Sequence, residues 1–499
     1  MLQLMHSFKG LMPPSEILDG VRNGQISSFC LFARINVISP HQLFDLTWVL
    51  YKAADEGGQP PPIIGIDQEG GQLMAVTGGT TELPGNMALG ATRSTELAEK
   101  AGIVLGRELL AMGINLNFAP SLDVNTNPLN PVIGIRSFGE NPELVGELGA
   151  ALIHGMQREG VMATAKHFPG HGDTAFDTHY MTPTITHTRQ RTLEVELQPF
   201  RVAIAEGVAA CMTAHVLFEA FDKNSPATMS RTVLHDLLRN EMGFAGLTIT
   251  DAMDMHAVNQ YGSVPSVRSA IEAGADLILL GHLPDQLAMQ SQTIDLLNNS
   301  AAQRIQQARM RIPTERPPLS VIGCAEHQQI AREIAAQSIT QLRGKDIPLD
   351  VSPDDMIVVI TPRPRDLTPA DTSADVRISL VDAIRNYHPL VSGVEIDYEA
   401  PYEHVRRALQ IAEDADVVIV GTIAADRDES QAALVKALHE RGQAPLVIAM
   451  RTPYDIAAFP MIENYLCTYS IRAVSMDAAA RVLFGKAAAP GVLPCSLPV

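Results

Sequence analysis

The amino-acid sequence predicts an α/β protein, with an N-terminal TIM-type (β/α)8 barrel followed by a C-terminal α/β sandwich domain. Short apolar runs alternate with amphipathic helical stretches about eight times before residue 310, and eight such units close a barrel. Polar residues follow the apolar runs, at the strand ends where barrels of this type carry their sites. A chain of 499 residues exceeds one ordinary core, so a second domain is expected.

The predicted barrel strands are short and apolar, and most of them run into polar or turn-forming residues. They span residues 2–5, 28–32, 63–67, 116–120, 163–167, 211–215, 247–251 and 276–280. Helices are predicted at residues 41–56, 95–112, 143–158, 192–206, 231–242 and 264–273. Strands that alternate with helices at this spacing imply a parallel sheet with right-handed crossovers.

A doubly wound open sheet would show the same alternation and is the alternative fold. The barrel is favoured because Asp67, Lys166 and Asp251 end different strands, and the carboxyl ends of barrel strands surround one mouth. The proline-rich residues 311–318 predict a domain boundary. We therefore expect a barrel at 1–312, a linker at 313–320 and a sandwich domain at 321–499, with strands at 356–361, 416–421, 446–450 and 465–469.

The composition is that of a globular protein with an acidic surface. Apolar residues make up 46% of the chain and charged residues 19%, and the formal net charge is −19. Nucleic acid requires a clustered Lys/Arg surface, which the sequence lacks, and an acidic surface does not attract anionic lipid. No apolar run reaches the ~20 residues of a membrane span. Five scattered cysteines and the absence of a secretion signal predict a cytoplasmic protein.

One polar stretch interrupts the apolar pattern. It is Lys166-His167-Phe168-Pro169-Gly170-His171-Gly172-Asp173-Thr174, and Asp177-Thr178-His179 follows it closely. The pattern indicates a buried strand that continues into a rigid loop rich in ionisable groups. Structural loops mainly use Gly, Asn, Ser and Pro, so the composition of this loop predicts an active site.

Two features of the sequence can carry acid–base or nucleophilic chemistry. Asp177 and His179 are separated by one residue, so their side chains can hydrogen-bond on one side of a loop. A carboxylate on one imidazole nitrogen favours the protonated ring and leaves the other nitrogen to exchange a proton. On spacing alone, the pair can also be a surface histidine beside an aspartate. Asp251 can be a nucleophile, a metal or sugar ligand, or a helix N-cap.

Several motifs carry a resemblance to a known family. They are Asp67-Gln68-Glu69-Gly70-Gly71, Ile133-Gly134-Ile135-Arg136-Ser137-Phe138, the Lys166 to Thr174 stretch, Asp177-Thr178-His179, Thr250-Asp251, Leu483-Phe484-Gly485 and Gly491-Val492-Leu493-Pro494. Together they resemble family 3 glycoside hydrolases, and within that family the two-domain form of the β-N-acetylglucosaminidase (NagZ-like) branch. The resemblance covers nearly the whole chain.

The resemblance implies a retaining exo-β-N-acetylglucosaminidase that works through a covalent glycosyl-enzyme intermediate. Asp251 matches the nucleophile, and His179 with Asp177 matches the acid/base dyad. Five residues match positions that hold the sugar ring, namely Asp67, Asp123, Arg136, Lys166 and His167. The resemblance implies a small carbohydrate substrate, no metal and no organic cofactor, and a second domain that gives no catalytic residue. Muropeptide recycling and chito-oligosaccharide breakdown both fit this branch.

The chain departs from the family pattern directly after Gly71. The family usually places an arginine within a few positions of this motif, and one such arginine helps to grip the sugar. Here the run is Gln72-Leu73-Met74-Ala75, which contains no basic residue. We expect another cation to fill that space, or the contacts to the sugar or the affinity to differ.

Three alternatives remain open at the level of sequence. A phosphorylase is compatible with His179, since an imidazole would not repel phosphate as a carboxylate would. A metal-dependent hydrolase would use His167, His171, Asp173, Asp177 and His179 as ligands, although no His-x-His occurs in the early strands. The missing arginine also allows a non-catalytic sugar-binding or sensing protein.

Overall fold

A computed structural model describes residues 3–296 and 298–498. Its N-terminal part is built on eight short parallel strands. They are β1 (Leu4–Met5), β2 (Ser28–Cys30), β3 (Ile63–Ile66), β4 (Leu116–Asn117), β5 (Met162–Phe168), β6 (Ala210–Thr213), β7 (Leu247–Thr250) and β8 (Ile278–Leu279). All eight overlap the strands predicted from the sequence. Leu2, the first residue of the predicted first strand, lies outside the described residues.

Backbone pairing closes these strands into a ring. Strands β2 to β7 form one sheet in the order β7-β6-β5-β4-β3-β2. Strand β1 pairs in parallel with β8, and single bridges join His6 to Phe29 and Ile249 to Leu277. The predicted (β/α)8 barrel is therefore confirmed, and the open doubly wound sheet was the wrong alternative.

Helices connect successive strands and cover the outside of the ring. They span Ser15–Arg22, Pro40–Glu56, Asn86–Thr92, Thr95–Ala111, Pro142–Arg158, Arg189–Glu194, Gln198–Ala205, the π-helix Thr232–Glu241, His256–Asn259, Ser263–Ala273, Gln286–Gln292 and Asn299–Met310. Ser39, Ser94 and Asn141 precede the three longest helices, and each accepts a backbone N–H from the first turn. These caps satisfy a donor that the helix itself cannot pair. Within the described residues, no helix is both long and apolar enough to cross a membrane.

The strand residues alternate between two apolar layers. Ala210 and Met212 belong to the cluster inside the barrel, whereas Cys211 between them packs in the layer that faces the helices. Burial on both faces explains why these strands are nearly continuous apolar runs in the sequence. The ionisable residues Asp67 and Asp251 stand directly after the carboxyl ends of β3 and β7, outside this apolar interior.

The second domain is built on a six-stranded sheet between two apolar clusters. Its strands are β9 (Thr340–Gly344), β10 (Ile357–Pro362), β11 (Val391–Ile396), β12 (Val417–Thr422), β13 (Leu446–Ala449) and β14 (Asn464–Cys467). The order is β9-β14-β13-β12-β10-β11, and β9 alone is antiparallel to its neighbour. The helices are Ala325–Ser338, Leu380–Arg385, Tyr402–Ile411, Glu429–Glu440 and Ala473–Leu483. The sequence missed β9 and β11, because these edge strands are only partly buried.

The two domains pack directly against each other. Along the helix Ala325–Ser338, Ala331 and Ile334 join the apolar layer outside the barrel, whereas Ala335 joins a cluster of the second domain. Met87 and Ala88, which follow β3 in the chain, pack in the other cluster of the second domain. The division at residues 313–320 remains a prediction.

Candidate active site

A cavity of about 290 Å³ opens at the carboxyl ends of the barrel strands. The carboxyl ends of parallel strands meet at one mouth, so residues far apart in sequence come together there. Six of the residues selected from the sequence line the cavity, namely Asp67, Arg136, Lys166, His167, His179 and Asp251. The other two, Asp123 and Asp177, lie behind its wall and contact His167 and His179.

Asp251 directly follows β7 and is partly exposed to the cavity. Its Oδ1 accepts a hydrogen bond of 2.7 Å from the backbone N–H of Ala252. Burial opposes ionisation of this carboxyl group. However, the nearby His215 and His167 rings and the Ala252 amide hold its pKa below the ordinary value. Asp251 is therefore an anion at neutral pH, as a nucleophile or a ligand of a positive centre requires.

Asp177 and His179 form a hydrogen-bonded pair on the loop after β5. The Nδ1 atom of His179 lies 2.6 Å from Oδ1 of Asp177, which also accepts the backbone N–H of His179 at 2.9 Å. The Asp177 side chain is only 5% exposed, whereas that of His179 is 26% exposed and faces the cavity. Burial acts to raise the pKa of Asp177, but the bond to His179 outweighs it and the pKa is lowered. The carboxylate thus orients the ring and leaves Nε2 available to exchange a proton.

The loop that carries this pair is fixed from two sides. The backbone N–H of Ala257 donates to the carbonyl oxygen of Thr178 at 3.2 Å. The Thr178 hydroxyl lies 3.4 Å from Nε2 of His171, and the other ring nitrogen of His171 lies 2.8 Å from the hydroxyl of Thr174. Burial lowers the pKa of His171 to about 4, so the ring is neutral at neutral pH. The structure therefore gives His171 a role in shaping the loop.

A buried chain of charges forms another part of the wall. The Nζ atom of Lys166 lies 2.7 Å from Oδ1 of Asp67 and 2.6 Å from Oε1 of Glu69. Glu69 also accepts two hydrogen bonds from the guanidinium of Arg136, at 2.8 and 3.0 Å. Burial opposes ionisation of Glu69, but the two cations lower its pKa to about 2. The sequence-based selection missed Glu69, although it stands inside the Asp67-to-Gly71 motif and its charge is what Lys166 and Arg136 require.

Asp123 supports His167 from behind. Its Oδ2 lies 2.7 Å from Nδ1 of His167, and its Oδ1 accepts the backbone N–H groups of His167 and His171. The side chain is fully buried, which acts to raise its pKa, but the interaction with His167 and these hydrogen bonds outweigh the burial and lower the pKa. Asp123 therefore fixes the position and tautomer of His167. A direct contact between Asp123 and the sugar stays a prediction.

Comparisons with known proteins identify the family. A model described as "Glycosyl hydrolase family 3 N terminal domain" matches residues 3–315. Beta-hexosaminidase A of Pseudoalteromonas piscicida is 30% identical to this chain, and the alignment covers 97% of this chain and 91% of that protein. The chain belongs to glycoside hydrolase family 3. The family predicted from the motifs is thus confirmed, and the protein is a glycoside hydrolase.

Two solved structures resemble the chain over different lengths. A family 3 β-N-acetylglucosaminidase from Paenibacillus sp. str. FPU-7 is 35% identical to this hydrolase, with a TM-score of 0.93 over 99% of this chain and 97% of that chain. NagZ from Neisseria gonorrhoeae is 29% identical, with a TM-score of 0.59, and the match covers 67% of this chain but 97% of its own. The match to the Paenibacillus enzyme thus includes both domains of this hydrolase, whereas the match to NagZ covers only part of this hydrolase.

The place of the missing family arginine is covered by the second domain of the hydrolase. Leu73 and Ala75 line the cavity, and residues 369–372 of the second domain line it beside them. Thr372 bonds both the carbonyl oxygen of Gln72 and the backbone N–H of Met74. Arg34, which follows β2, also lines the cavity. That a cation replaces the missing arginine in contact with the sugar stays a prediction.

The metal-dependent alternative finds no suitable donor set in the described part of the hydrolase. His171 is bonded to threonine hydroxyls, and Oδ2 of Asp173 lies 2.5 Å from Nε2 of His187. Among residues 3–296 and 298–498, no three His, Cys, Asp or Glu side chains are arranged to hold a metal ion. The polar groups of the loop instead serve the Asp177–His179 pair and His167.

Proposed function

We propose that this hydrolase is a retaining exo-β-N-acetylglucosaminidase with Asp251 as nucleophile and the Asp177–His179 dyad as acid/base. The observation that carries the proposal is that Asp251 and His179 line one cavity with different partners. His179 is paired with a buried carboxylate, whereas Asp251 accepts a hydrogen bond from a backbone N–H and stays anionic. One group is suited to move a proton and the other to attack a positive centre. The β-N-acetylglucosaminidase among its relatives supports the sugar class.

The buried charge chain would bind the terminal sugar. Asp67, Lys166, Arg136 and His167 present oxygen and nitrogen atoms to the cavity from fixed positions. Glu69 and Asp123 already hold Arg136 and His167 in place. These side chains therefore lose little conformational entropy when hydroxyl groups of the sugar replace water in the cavity. A volume of about 290 Å³ lies at the lower end of ligand pockets, which span ~300–1,000 Å³. Such a pocket fits one sugar ring better than an internal part of a chain, which supports exo action.

In the first step, a carboxylate oxygen of Asp251 attacks the anomeric carbon while the bond to the glycosidic oxygen breaks. The protonated His179 gives the proton on Nε2 to the departing oxygen, so that the leaving group departs as a neutral alcohol. Asp177 stabilises the imidazolium before the transfer and keeps the ring in position. The products are a glycosyl ester of Asp251 and a neutral His179.

In the second step, His179 takes a proton from a water molecule as the water oxygen attacks the anomeric carbon. The ester bond to Asp251 breaks, and the carboxylate is regenerated. Two inversions at one carbon give net retention of configuration. The two steps together use only Asp251, His179 and one water molecule, and both side chains return to their starting states.

The nucleophile assignment is tested with Asp251→Asn on a 4-nitrophenyl β-N-acetylglucosaminide. We expect kcat to fall by ~10³-fold or more, because the amide cannot form the glycosyl ester. Asp236→Asn is the matched control, since Asp236 is exposed on the outer surface. Mass spectrometry after incubation with a 5-fluoro-N-acetylglucosaminyl fluoride should show a glycosyl adduct on Asp251. Wild-type turnover in Asp251→Asn would overturn the assignment.

Product analysis separates the alternatives within this proposal. In phosphate buffer, hydrolysis releases N-acetylglucosamine, whereas a phosphorylase would release its 1-phosphate. A sugar-binding or sensing protein would bind N-acetylglucosamine and show neither product. Muropeptides and chitobiose, supplied as competing substrates, distinguish a role in muropeptide recycling from one in chito-oligosaccharide breakdown.

A further inference from the structure

Residues 366–375 of the second domain, called here the second-domain wall, form one side of the cavity. Residues 369–372 line the cavity directly. The backbone N–H of Thr372 donates to the carbonyl oxygen of Gln72 at 2.8 Å, and the amide of Gln72 donates to the carbonyl oxygen of Ala370 at 3.1 Å. The segment is thus attached to the barrel loop after β3, where the family usually carries an arginine.

Buried contacts within the second domain fix the conformation of this wall. The Asp371 side chain is fully buried, and its Oδ2 accepts a bond of 2.8 Å from Arg451. The two oxygens of Asp371 also accept the backbone N–H groups of Ser373 and Leu367. A segment held by buried charge-assisted bonds keeps its position whether or not a ligand is bound.

The cations of the cavity wall differ in exposure. Of the described lysines and arginines that line it, Lys166 and Arg136 are already paired with Asp67 and Glu69, and their side chains are 2% and 3% exposed. Arg34 is 45% exposed, so it is the one of the three that an incoming anion could reach directly. However, two aspartates of the second-domain wall already form ion pairs with Arg34. Its Nη1 lies 2.5 Å from Asp366, and its Nε lies 2.8 Å from Asp375.

We infer that the second-domain wall sets the charge selectivity of the pocket, so that it accepts uncharged glycosides and disfavours glycosides carrying a carboxylate. Asp366 and Asp375 stand next to the lining residues 369–372, and together they outnumber the Arg34 charge, which leaves a net negative charge beside the pocket. Asp251 adds another anionic group to the same cavity. A carboxylate on the substrate would therefore meet repulsion that the His179 acid offsets only in part, since the described lining residues offer no exposed unpaired arginine or lysine. This inference rests on the proposed function and specifies its substrate class.

The test compares two substrates that differ only in charge. They are N-acetylglucosaminyl-β-1,4-N-acetylmuramic acid and the methyl ester of its carboxyl group. For the wild-type enzyme at ~0.02 M salt, we expect kcat/KM to be about five- to tenfold higher for the ester. At ~0.3 M salt the ratio should shrink towards one, because salt screens partly exposed charges.

Two variants of the wall should shift this ratio in opposite directions. Asp366→Asn with Asp375→Asn frees Arg34 to attract the carboxylate, so the preference for the ester should vanish or reverse. Arg34→Gln leaves two unpaired aspartates, so the preference should increase. A purely structural role for these residues would lower activity on both substrates together. If the double variant does not fold, the two single aspartate variants and the salt dependence of the wild type provide the same comparison.

Equal kcat/KM values for acid and ester in the wild type at low salt would overturn the inference. An unchanged ratio in the double aspartate variant would also overturn it. The 4-nitrophenyl glycoside separates this failure from failure of the proposed function. If that glycoside is cleaved while the ratio is one, only the charge selectivity is wrong; if it is not cleaved, the proposed function itself fails.

Discussion

The Nζ atom of Lys166 lies 2.6 Å from Oε1 of Glu69, and each side chain is only 2% exposed. Lys166 stands on β5, whereas Glu69 follows β3, so the pair joins two strand ends that are distant in sequence. Glu69 also binds Arg136, so this one buried carboxylate fixes the positions of both Lys166 and Arg136 in the cavity wall.

Glu69→Gln should destabilise the enzyme strongly. The substitution removes the charge that both Lys166 and Arg136 require, and breaking a buried ion pair costs about 3–5 kcal/mol. The free energy of unfolding, measured by urea titration, gives the effect. Glu56→Gln is the matched control, because its pair with Arg22 is exposed to solvent and contributes little to stability. Equal losses in the two variants would contradict the buried charge chain.

The stability of the wild-type enzyme should depend on the ionisation of Glu69 in acid. Its pKa is lowered from the ordinary 4.5 to about 2 in the folded state. The stabilisation is therefore complete above about pH 4.5 and is lost as the pH falls towards about 2. This difference between the unfolded and folded pKa values corresponds to ~3 kcal/mol in the free energy of unfolding. Glu69→Gln should flatten this part of the stability profile, and an identical slope in the variant would exclude Glu69 as its source.

His179→Ala should impair cleavage in proportion to the basicity of the leaving group. An alcohol leaving group needs the proton from His179, so kcat/KM on chitobiose should fall by ~10²–10⁴-fold. A dinitrophenyl leaving group needs little protonation, and glycosyl-enzyme formation on that substrate should change far less. Steady-state kinetics on the two substrates measure the difference. Equal losses would show that His179 does not act as the acid. His235→Ala, at an exposed surface histidine, is the control.

Asp177→Asn should lower catalysis more than stability. The variant loses the negative charge beside Nδ1 of His179, which stabilises the imidazolium before it donates its proton, so kcat/KM on chitobiose should fall by ~10²-fold or more. Thermal unfolding should change less, because the amide oxygen of Asn can still accept the bonds from His179. Wild-type kcat/KM in the variant would contradict the role of Asp177 in the dyad.

Asp123→Asn should lower activity through His167. Asp123 accepts hydrogen bonds from His167 and His171. The side-chain nitrogen of Asn cannot accept a hydrogen bond, so its N–H groups would point at an N–H group of a histidine. We expect a loss of about 1–3 kcal/mol in the free energy of unfolding and about a tenfold loss in kcat/KM. Ser121→Ala, which removes one of the bonds to Asp123, should show a smaller change in both. Wild-type kinetics in Asp123→Asn would contradict its role behind His167.

The sequence alone was sufficient for the barrel and for most of the residues around its mouth. The alternation of apolar runs and helices is a local pattern, and the rule that barrel sites lie at strand ends needs no coordinates. Asp67, Lys166 and Asp251 could therefore be assigned to one site before their distances were known. The two strands missed in the second domain are edges, where partial exposure weakens the apolar pattern.

Only the tertiary structure decided how these residues are paired. Asp123 and His167 were both predicted to hold the sugar, but the fold places the buried Asp123 behind the ring of His167. The attachment of Asp366 and Asp375 to Arg34 joins residues more than 330 positions apart, and no local pattern encodes it. The sequence determined which chemical groups stand at the strand ends, because periodicity and motifs are local. The packing of two domains decided which charges are satisfied and which face the cavity, because that depends on contacts between distant parts of the chain.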